Sequence, residues 1–440
     1  MKGYDIIKSA SKVVLSICGT PPQTNPYNCK ISDYVLVHKL MNGELYYSFL
    51  TGELLHVRNY HEAFNYLARH RFVVNRDYNE KINIDKYQQI IKAIRQSQKP
   101  SFQTFEIVTT THCNANCFYC YEKMFNKISM TDGKAYEVAE FIAQANSPIK
   151  LVWFGGEPLV NQSPINIVSK ILIEKGINFS ASLTTNGLLI SDEIITKTTE
   201  WHINHVTITL DGTETTYNRI KNYKTDIKNP FARVLSNIEK LIQANICVTI
   251  RINIEQYNIA DIIVLAEELR KRFYNCELVR FILRPLLNTN FDSTIESSDR
   301  ESIYQLIMNE MVKMFDAGFE VAGALPSGIS GHCCRADSGS YMVISPNGNV
   351  SFCTENFNDV SGGSINNGIS SIRVPNLAES LYKKDIICDD CPKYPSCMPT
   401  KLCHVHKRTI CTPSQRDYML HEIKLSMLQE YRKFNKQNNQ

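Results

Sequence analysis

The sequence predicts an α/β fold: a partial (β/α)6, TIM-like barrel between an N-terminal α+β module and a cysteine-rich C-terminal region. Three observations carry this. Six strand-like runs alternate with six helical patterns between Phe105 and Phe315. Asn42-Gly43 separates two strand-like runs near the N terminus. Eleven of the fifteen cysteines fall into two groups, three within Cys113–Cys120 and eight within Cys333–Cys411. The expected boundaries are residues 1–102, 103–320 and 321–440.

Length and composition agree. At 440 residues the chain is too long for one ordinary core, so two or three domains are expected. A composition 43% hydrophobic and 21% charged is that of a globular protein. The net charge of +4 is small for this length and implies no nucleic-acid partner. No apolar run reaches the roughly 18 residues that a membrane span needs. The start, Met1-Lys2-Gly3-Tyr4-Asp5, lacks the apolar core of a secretory signal. A cytoplasmic location is expected, where disulfides are rare and clustered cysteines point to metal binding or chemistry. Cys18, Cys29, Cys247 and Cys276 stand alone and read as packing residues.

In the first module the runs Tyr34–His38 and Glu44–Phe49 flank Asn42-Gly43, a strong hairpin signal. His61–Phe72 places Phe64, Leu67 and Ala68 on one helical face. A second helix is expected over Asp85–Gln96, stopping before Lys99-Pro100. The module reads equally as a structural lid or as a platform for a peptide.

The barrel strands are expected at Phe105–Val108, Ile149–Phe154, Phe179–Thr185, His205–Leu210, Cys247–Ile254 and Leu278–Arg284. Helices are expected near Gly133–Ala145, Pro164–Lys175, Asp192–Trp201, Pro230–Ala244, Ile259–Arg272 and Asp299–Phe315. Such alternation argues for a parallel sheet with helices outside. In a barrel of this kind the chemistry gathers at the C-terminal ends of the strands. Polar residues stand there: Gly155-Gly156-Glu157-Pro158 after strand two, Thr184-Thr185-Asn186-Gly187 after strand three, Asp211-Gly212 after strand four. Strand five carries Arg251 and Asn253. Taken singly, each has a plain reading as a turn, a helix cap or a salt-bridge partner.

Strand one runs into Cys113-Asn114-Ala115-Asn116-Cys117-Phe118-Tyr119-Cys120, a C-x₃-C-x₂-C loop. Three thiolates this close suit an iron–sulfur cluster. With four irons and three protein ligands, one iron stays open for chemistry. Zinc is the competing reading, with His112 available as a fourth ligand, and simple apolar packing of the thiols is another.

The C-x₃-C-x₂-C loop together with the Gly155–Pro158 stretch resembles the radical S-adenosylmethionine (SAM) enzymes, over about residues 103–320. The resemblance implies a [4Fe–4S] cluster on Cys113, Cys117 and Cys120, whose open iron is chelated by SAM. It implies Gly156 and Glu157 near the methionyl amine, Arg251 near the carboxylate, and Gly155 among the cofactor-binding residues. It places Thr185, Asn186 or Asp211 near the ribose, with Tyr119 beside the adenine. A guanidinium suits a carboxylate, and glycines let backbone approach a ligand closely.

The last third carries Cys333-Cys334, then Cys353 in a G-x₄-C, then Cys388-x₂-Cys391-x₅-Cys397-x₅-Cys403-x₇-Cys411. Zinc ribbons also use C-x₂-C. The arrangement resembles the SPASM extension, which binds auxiliary [4Fe–4S] clusters. That resemblance implies Cys388, Cys391, Cys397 and Cys411 on one cluster. It implies Cys353, Cys403 and Cys334, alone or with Cys333, on another. Five residues separate Cys397 from Cys403 where the family more often has three. A final helix is expected from Thr412-Pro413-Ser414 to about Phe434, with Pro413 in its first turn.

The expected function is therefore a radical SAM peptide maturase, installing a thioether or carbon–carbon cross-link in a ribosomally made peptide. Its electron donor would be a flavodoxin or ferredoxin. A sulfatase-maturing type is the enzymatic alternative, but such enzymes carry Asp directly after the G-x₄-C cysteine, where this chain has Thr354 and then Glu355. A non-catalytic, zinc-stabilised peptide-binding module is the alternative from another class.

Overall fold

Alternation of apolar and polar residues along short strands organises the chain in the computed structural model. It describes all residues except 1–2, 98, 147, 225, 256, 287–296, 330–334, 358–361, 375–385, 398–410 and 439–440. Contacts divide the chain into two units, one of Met1–Lys99, Ala322–Cys334 and Asn376–Gln440, the other of Pro100–Val321 and Arg335–Pro375.

The first unit begins with β1 (Tyr4–Lys8), α1 (Lys12–Cys18), β2 (Cys29–Ile31), β3 (Val35–Leu40), β4 (Gly43–Ser48) and β5 (Leu54–Val57). Then come α2 (Tyr60–Arg69), β6 (Val73–Asn75) and α3 (Glu80–Ser97). Four strands form an antiparallel sheet in the order β1-β5-β4-β3, and β2 pairs with β6. The Asn42-Gly43 hairpin is present, with Leu40 opposite Gly43. Gly43 has φ +140°, and a Cβ there would lie 2.4 Å from the Val57 carbonyl oxygen, so only glycine fits. Asn59 caps α2 by accepting from the His61 and Glu62 amides. The helix buries Ala63 and Leu67 against Tyr46, Leu55 and Val57.

The second unit contains β7 (Thr104–Thr110), α4 (Asp132–Ile142), β8 (Ile149–Gly155), α5 (Ser163–Glu174), β9 (Phe179–Thr185) and α6 (Asp192–Glu200). It continues with β10 (Ile203–Thr209), α7 (Glu214–Lys221), α8 (Pro230–Gln243), β11 (Cys247–Ile254), α9 (Ile259–Arg272) and β12 (Val279–Pro285). Helix α10 (Ser297–Asp316) and strands β13 (Tyr341–Ile344) and β14 (Val350–Ser351) complete it. One sheet of eight strands runs β12-β11-β10-β9-β8-β7-β13-β14. The six expected strands are mutually parallel neighbours. β13 extends the sheet beside β7 in parallel, and β14 pairs with it antiparallel. The order is linear, so the barrel is partial. In β11, Val248, Ile250, Ile252 and Ile254 are all buried, while Cys247 is half-buried and Arg251 exposed. Period two thus gives the strand one apolar and one chemically useful face. Capping side chains start the helices: Thr131 for α4, Ser191 for α6 and Asn229 for α8.

The last helix, α11 (Pro413–Asn438), belongs to the first unit. Its Ile423 and Met427 pack on Leu45, Tyr47, Phe49 and Leu54. Leu45 and Tyr47 therefore face α11 while Tyr46 faces α2, and the N-terminal sheet is covered on both sides.

Candidate functional site

The C-x₃-C-x₂-C loop leaves the end of β7 and is clamped by three other elements. From β8, the Gly156 amide donates to Thr110 O at 2.9 Å and the Glu157 amide to His112 O at 2.9 Å. This approach requires both glycines. A Cβ on Gly156 would sit 2.4 Å from His112 O, and one on Gly155, where φ is +143°, would sit 2.3 Å from Thr110 O. From the end of β9, Asn186 Nδ2 donates to Asn114 Oδ1 at 2.6 Å and lies 3.9 Å from Cys113 Sγ. From the end of α7, Lys221 O accepts from the Asn116 amide and Asn114 O from the Lys224 amide, each at 2.8 Å.

Cys113, Cys117 and Cys120 are half-buried and in no disulfide. Burial pushes the Cys113 thiol up to about 12, opposed by the Ala115 amide and reinforced by Glu157 and the two other cysteines. Among the described residues no three Cys, His, Asp or Glu side chains converge on a single metal ion. His112, the zinc alternative's fourth ligand, is exposed. A four-iron cluster instead takes each thiolate on a different iron. Asn114 Nδ2, beside Cys113, is buried with no hydrogen-bond partner and so is a donor left over for a ligand.

Behind the loop lie two buried carboxylates. Glu157 is fully buried and accepts from Leu159 N at 3.1 Å, Thr185 Oγ1 at 2.8 Å and Asn186 N at 2.8 Å. Burial nonetheless raises its carboxyl to about 7, against the pull of those donors. Asp211 is also fully buried. It pairs with Lys221 Nζ at 2.9 Å and accepts from the Asn253 amide at 3.1 Å and from the Tyr119 hydroxyl. Lys221 also donates to Tyr119 Oη at 3.1 Å and lies 5.7 Å from the ring centres of both Tyr119 and Tyr217. Burial pulls its ammonium down, but Asp211 and Tyr119 carry it well above its ordinary value. Arg251 is exposed, with Nε donating to Asn253 Oδ1 at 2.9 Å.

The structure thus brings Gly155, Gly156, Glu157, Thr185 and Asn186 to the cysteine loop. Tyr119, Asp211 and Arg251 join them through Asn253. Sequence reasoning missed Lys221, Asn114 and Asn258, whose Nδ2 donates to Asp211 O at 2.9 Å. The signal available for Lys221 is its place one turn after Tyr217 on α7, a short helix outside the six expected ones.

In the first unit Cys388 is buried and Cys391, Cys397 and Cys411 are half-buried, none in a disulfide. Burial and then the charges of Cys391, Cys397 and Cys388 push the Cys411 thiol up to about 11, so the four share one locality. Cys353 belongs to the second unit, just past β14. Cys333, Cys334 and Cys403 lie outside the described residues.

Residues 107–269 match the family model of the Radical SAM superfamily. They form a radical SAM domain. The matched segment carries the cysteine loop and the ends of β8, β9, β10 and β11, and a domain of this family implies a [4Fe–4S] cluster and SAM. An Fe-coproporphyrin III synthase from Methanosarcina barkeri is 28% identical over 48% of this chain and 52% of its own length. A GTP 3′,8-cyclase from Clostridium perfringens is 31% identical over 37% of this chain and 51% of its own length. The chain spans about half the length of these curated relatives. Among solved structures, anSMEcpe with bound AdoMet has a TM-score of 0.59 at 14% identity, covering 75% of this chain and 98% of that one. SuiB of Streptococcus suis, bound to precursor peptide SuiA, has a TM-score of 0.54 at 16% identity, covering 86% and 96%. These likenesses show a shared fold. Among the described residues no helix is long and apolar enough to cross a membrane.

Proposed function

We propose that this radical SAM enzyme is a peptide maturase that forms a thioether or carbon–carbon cross-link in a ribosomally made peptide. The observation that carries the reading is the clamped thiol loop at the C-terminal ends of the parallel strands, with Asp211, Lys221 and Tyr119 buried behind it. Bound there, a four-iron cluster would supply the one-electron chemistry that cleaves SAM and starts hydrogen removal from the substrate. Cys113, Cys117 and Cys120 would ligate it. Glu157, committed to three donors, acts by fixing Thr185 and Asn186 rather than by reaching outward. The terminal nitrogens of Arg251 suit the SAM carboxylate. Asp211 holds Tyr119 in place, and the cofactor's adenosine would lie near that pair.

A peptide substrate is supported by the likeness to SuiB in its complex with a precursor peptide and to anSMEcpe in its peptide complexes. Cys388, Cys391, Cys397 and Cys411 would hold one auxiliary cluster, and Cys353 would contribute to another. Electrons would arrive from a flavodoxin or ferredoxin. Against the sulfatase-maturing alternative, Thr354 stands where that type has Asp, and its hydroxyl is shared with Tyr341 Oη at 2.8 Å. The test is metal analysis of anaerobically purified protein, followed by incubation with dithionite, SAM and candidate peptides. About eight to twelve irons per chain, 5′-deoxyadenosine and a peptide lighter by two hydrogens are expected. Zinc without iron, or no nucleoside, would overturn the reading.

A further inference from the structure

The N-terminal module has its own link to the second thiol group. Helix α3 presents Ile84, Tyr87 and Ile91, spaced three and four residues apart, to a core shared with Cys388 and Tyr394. A polar residue interrupts that buried face. Gln88 is 4% exposed, and its Nε2 lies 3.0 Å from Tyr394 O, 3.4 Å from Pro395 O and 3.2 Å from Cys397 O. Three carbonyl oxygens can be faced only by the amide nitrogen, so the side chain has one workable orientation. One turn earlier, Asp85 Oδ1 accepts from the Tyr394 hydroxyl at 2.7 Å. One turn before that, Lys81 Nζ lies 3.8 Å from Asp390 Oδ1. Residues 81, 85 and 88 thus form a polar stripe along the helix. It meets the loop between Cys388 and Cys397.

The loop's internal backbone bonds are short turns: Cys391 N to Cys388 O at 3.3 Å, Tyr394 N to Cys391 O at 3.1 Å, Ser396 N to Lys393 O at 3.0 Å and Cys397 N to Tyr394 O at 3.1 Å. None of its described residues lies in a strand. A buried amide such as Gln88 costs stability unless its donors are used. Hydrophobic packing of α3 would be better served by Leu or Met, so packing alone does not account for a glutamine here. The hydrogen bonds to the cysteine loop do.

We propose that α3 is the organising element of the thiol centre formed by Cys388, Cys391, Cys397 and Cys411, and that Gln88 is its positioning residue. This rests on the reading that these four cysteines hold an auxiliary cluster. The N-terminal module then has a second task beside any peptide binding: it sets the shape of the loop before metal arrives and fixes the cluster's surroundings afterwards. Gln88 touches neither substrate nor SAM and acts only through the backbone of Tyr394, Pro395 and Cys397.

The experiment uses the full chain, reconstituted anaerobically with iron and sulfide. Gln88→Met keeps the volume and the apolar packing but removes the donor, and Gln88→Glu places a carboxylate against three carbonyls. Cys388→Ala with Cys391→Ala is the reference. Iron content, the paramagnetic resonance spectrum of the reduced protein and the midpoint potential of each signal are measured, with 5′-deoxyadenosine release as a control for the first cluster. The Gln88 variants are expected to lose about four irons or to show an altered auxiliary signal and potential, with nucleoside release retained. Gln88→Glu is expected to be the more severe. Full iron with unchanged spectrum and potential in both variants, while the double cysteine variant loses about four irons, would overturn the role of Gln88 alone. Unchanged iron in the double cysteine variant would overturn the underlying assignment of the four cysteines. If Gln88→Met fails to accumulate, Tyr394→Phe, which removes the hydroxyl bonded to Asp85, tests the same contact of α3 with the loop by spectrum and potential.

Discussion

The two described cysteine loops are built on different principles. The Cys113–Cys120 loop is tied by backbone hydrogen bonds to the ends of β7, β8 and α7, and two glycines allow main chain to touch main chain. The Cys388–Cys397 loop folds by its own short turns and is met by side chains of one helix, Gln88 among them. A loop held by backbone keeps its shape through many substitutions, provided the glycines remain. One held by side chains depends on a few residues that look ordinary in sequence.

That contrast can be broken most sharply at the thiols. Cys113, Cys117 and Cys120 changed together to Ala should abolish 5′-deoxyadenosine release and leave the auxiliary iron. Cys388→Ala with Cys391→Ala should leave release intact and stop peptide modification. If both variants behave alike, the two loops are not functionally distinct.

Next in size is Lys221→Met. It leaves Asp211 as a buried, uncompensated charge, and removing one partner of such a pair costs about 3–5 kcal/mol. Chemical denaturation should register that loss in the unit that carries Cys113–Cys120, with nucleoside release falling. A wild-type midpoint would mean the pair is dispensable.

A smaller effect is expected from Gly156→Ala. The added methyl group meets His112 O at 2.4 Å, so β8 and the loop must separate. A backbone strain of this kind costs about 1–3 kcal/mol. SAM cleavage should drop while iron on the second loop is unaffected, as counted by metal analysis.

The smallest test uses pH. His205, half-buried on β10 and 2.7 Å from Thr249 Oγ1, is lowered from 6.5 to about 4 by burial, then by Arg280 and Lys150. Its folded value lies below its unfolded one, so the unfolded chain binds the extra proton in that window. Stability is complete above 6.5 and is lost as pH falls toward 4. With allowance for partial exposure the loss is on the order of 2 kcal/mol. His205→Asn should flatten the denaturation midpoint over that range; an unchanged slope would mean the ring titrates normally.

Much of this site was legible beforehand because its requirements are local. The C-x₃-C-x₂-C spacing, the glycines at 155 and 156, and Asn186-Gly187 each satisfy a constraint within a few residues. The parallel strands were legible for the same reason, since Val248, Ile250, Ile252 and Ile254 alternate with polar residues. Lys221 was not. A lysine at the end of a short helix resembles a solvated charge, and only the approach of Asp211, Tyr119 and Tyr217 makes it a buried cation. β13 and β14 left no signal because both are short: β13 adds to the edge of β7, and β14 pairs in turn with β13.

The sequence by itself determined the strand and helix pattern, the thiol spacings and the glycine turns, because each depends on residues a few positions apart. Only the tertiary structure decided that residues 1–99 share a unit with Cys388–Cys411, and that Gln88 meets Cys397 across more than three hundred residues. Contacts that distant leave no period or spacing in the chain; they exist only once packing has paired the surfaces.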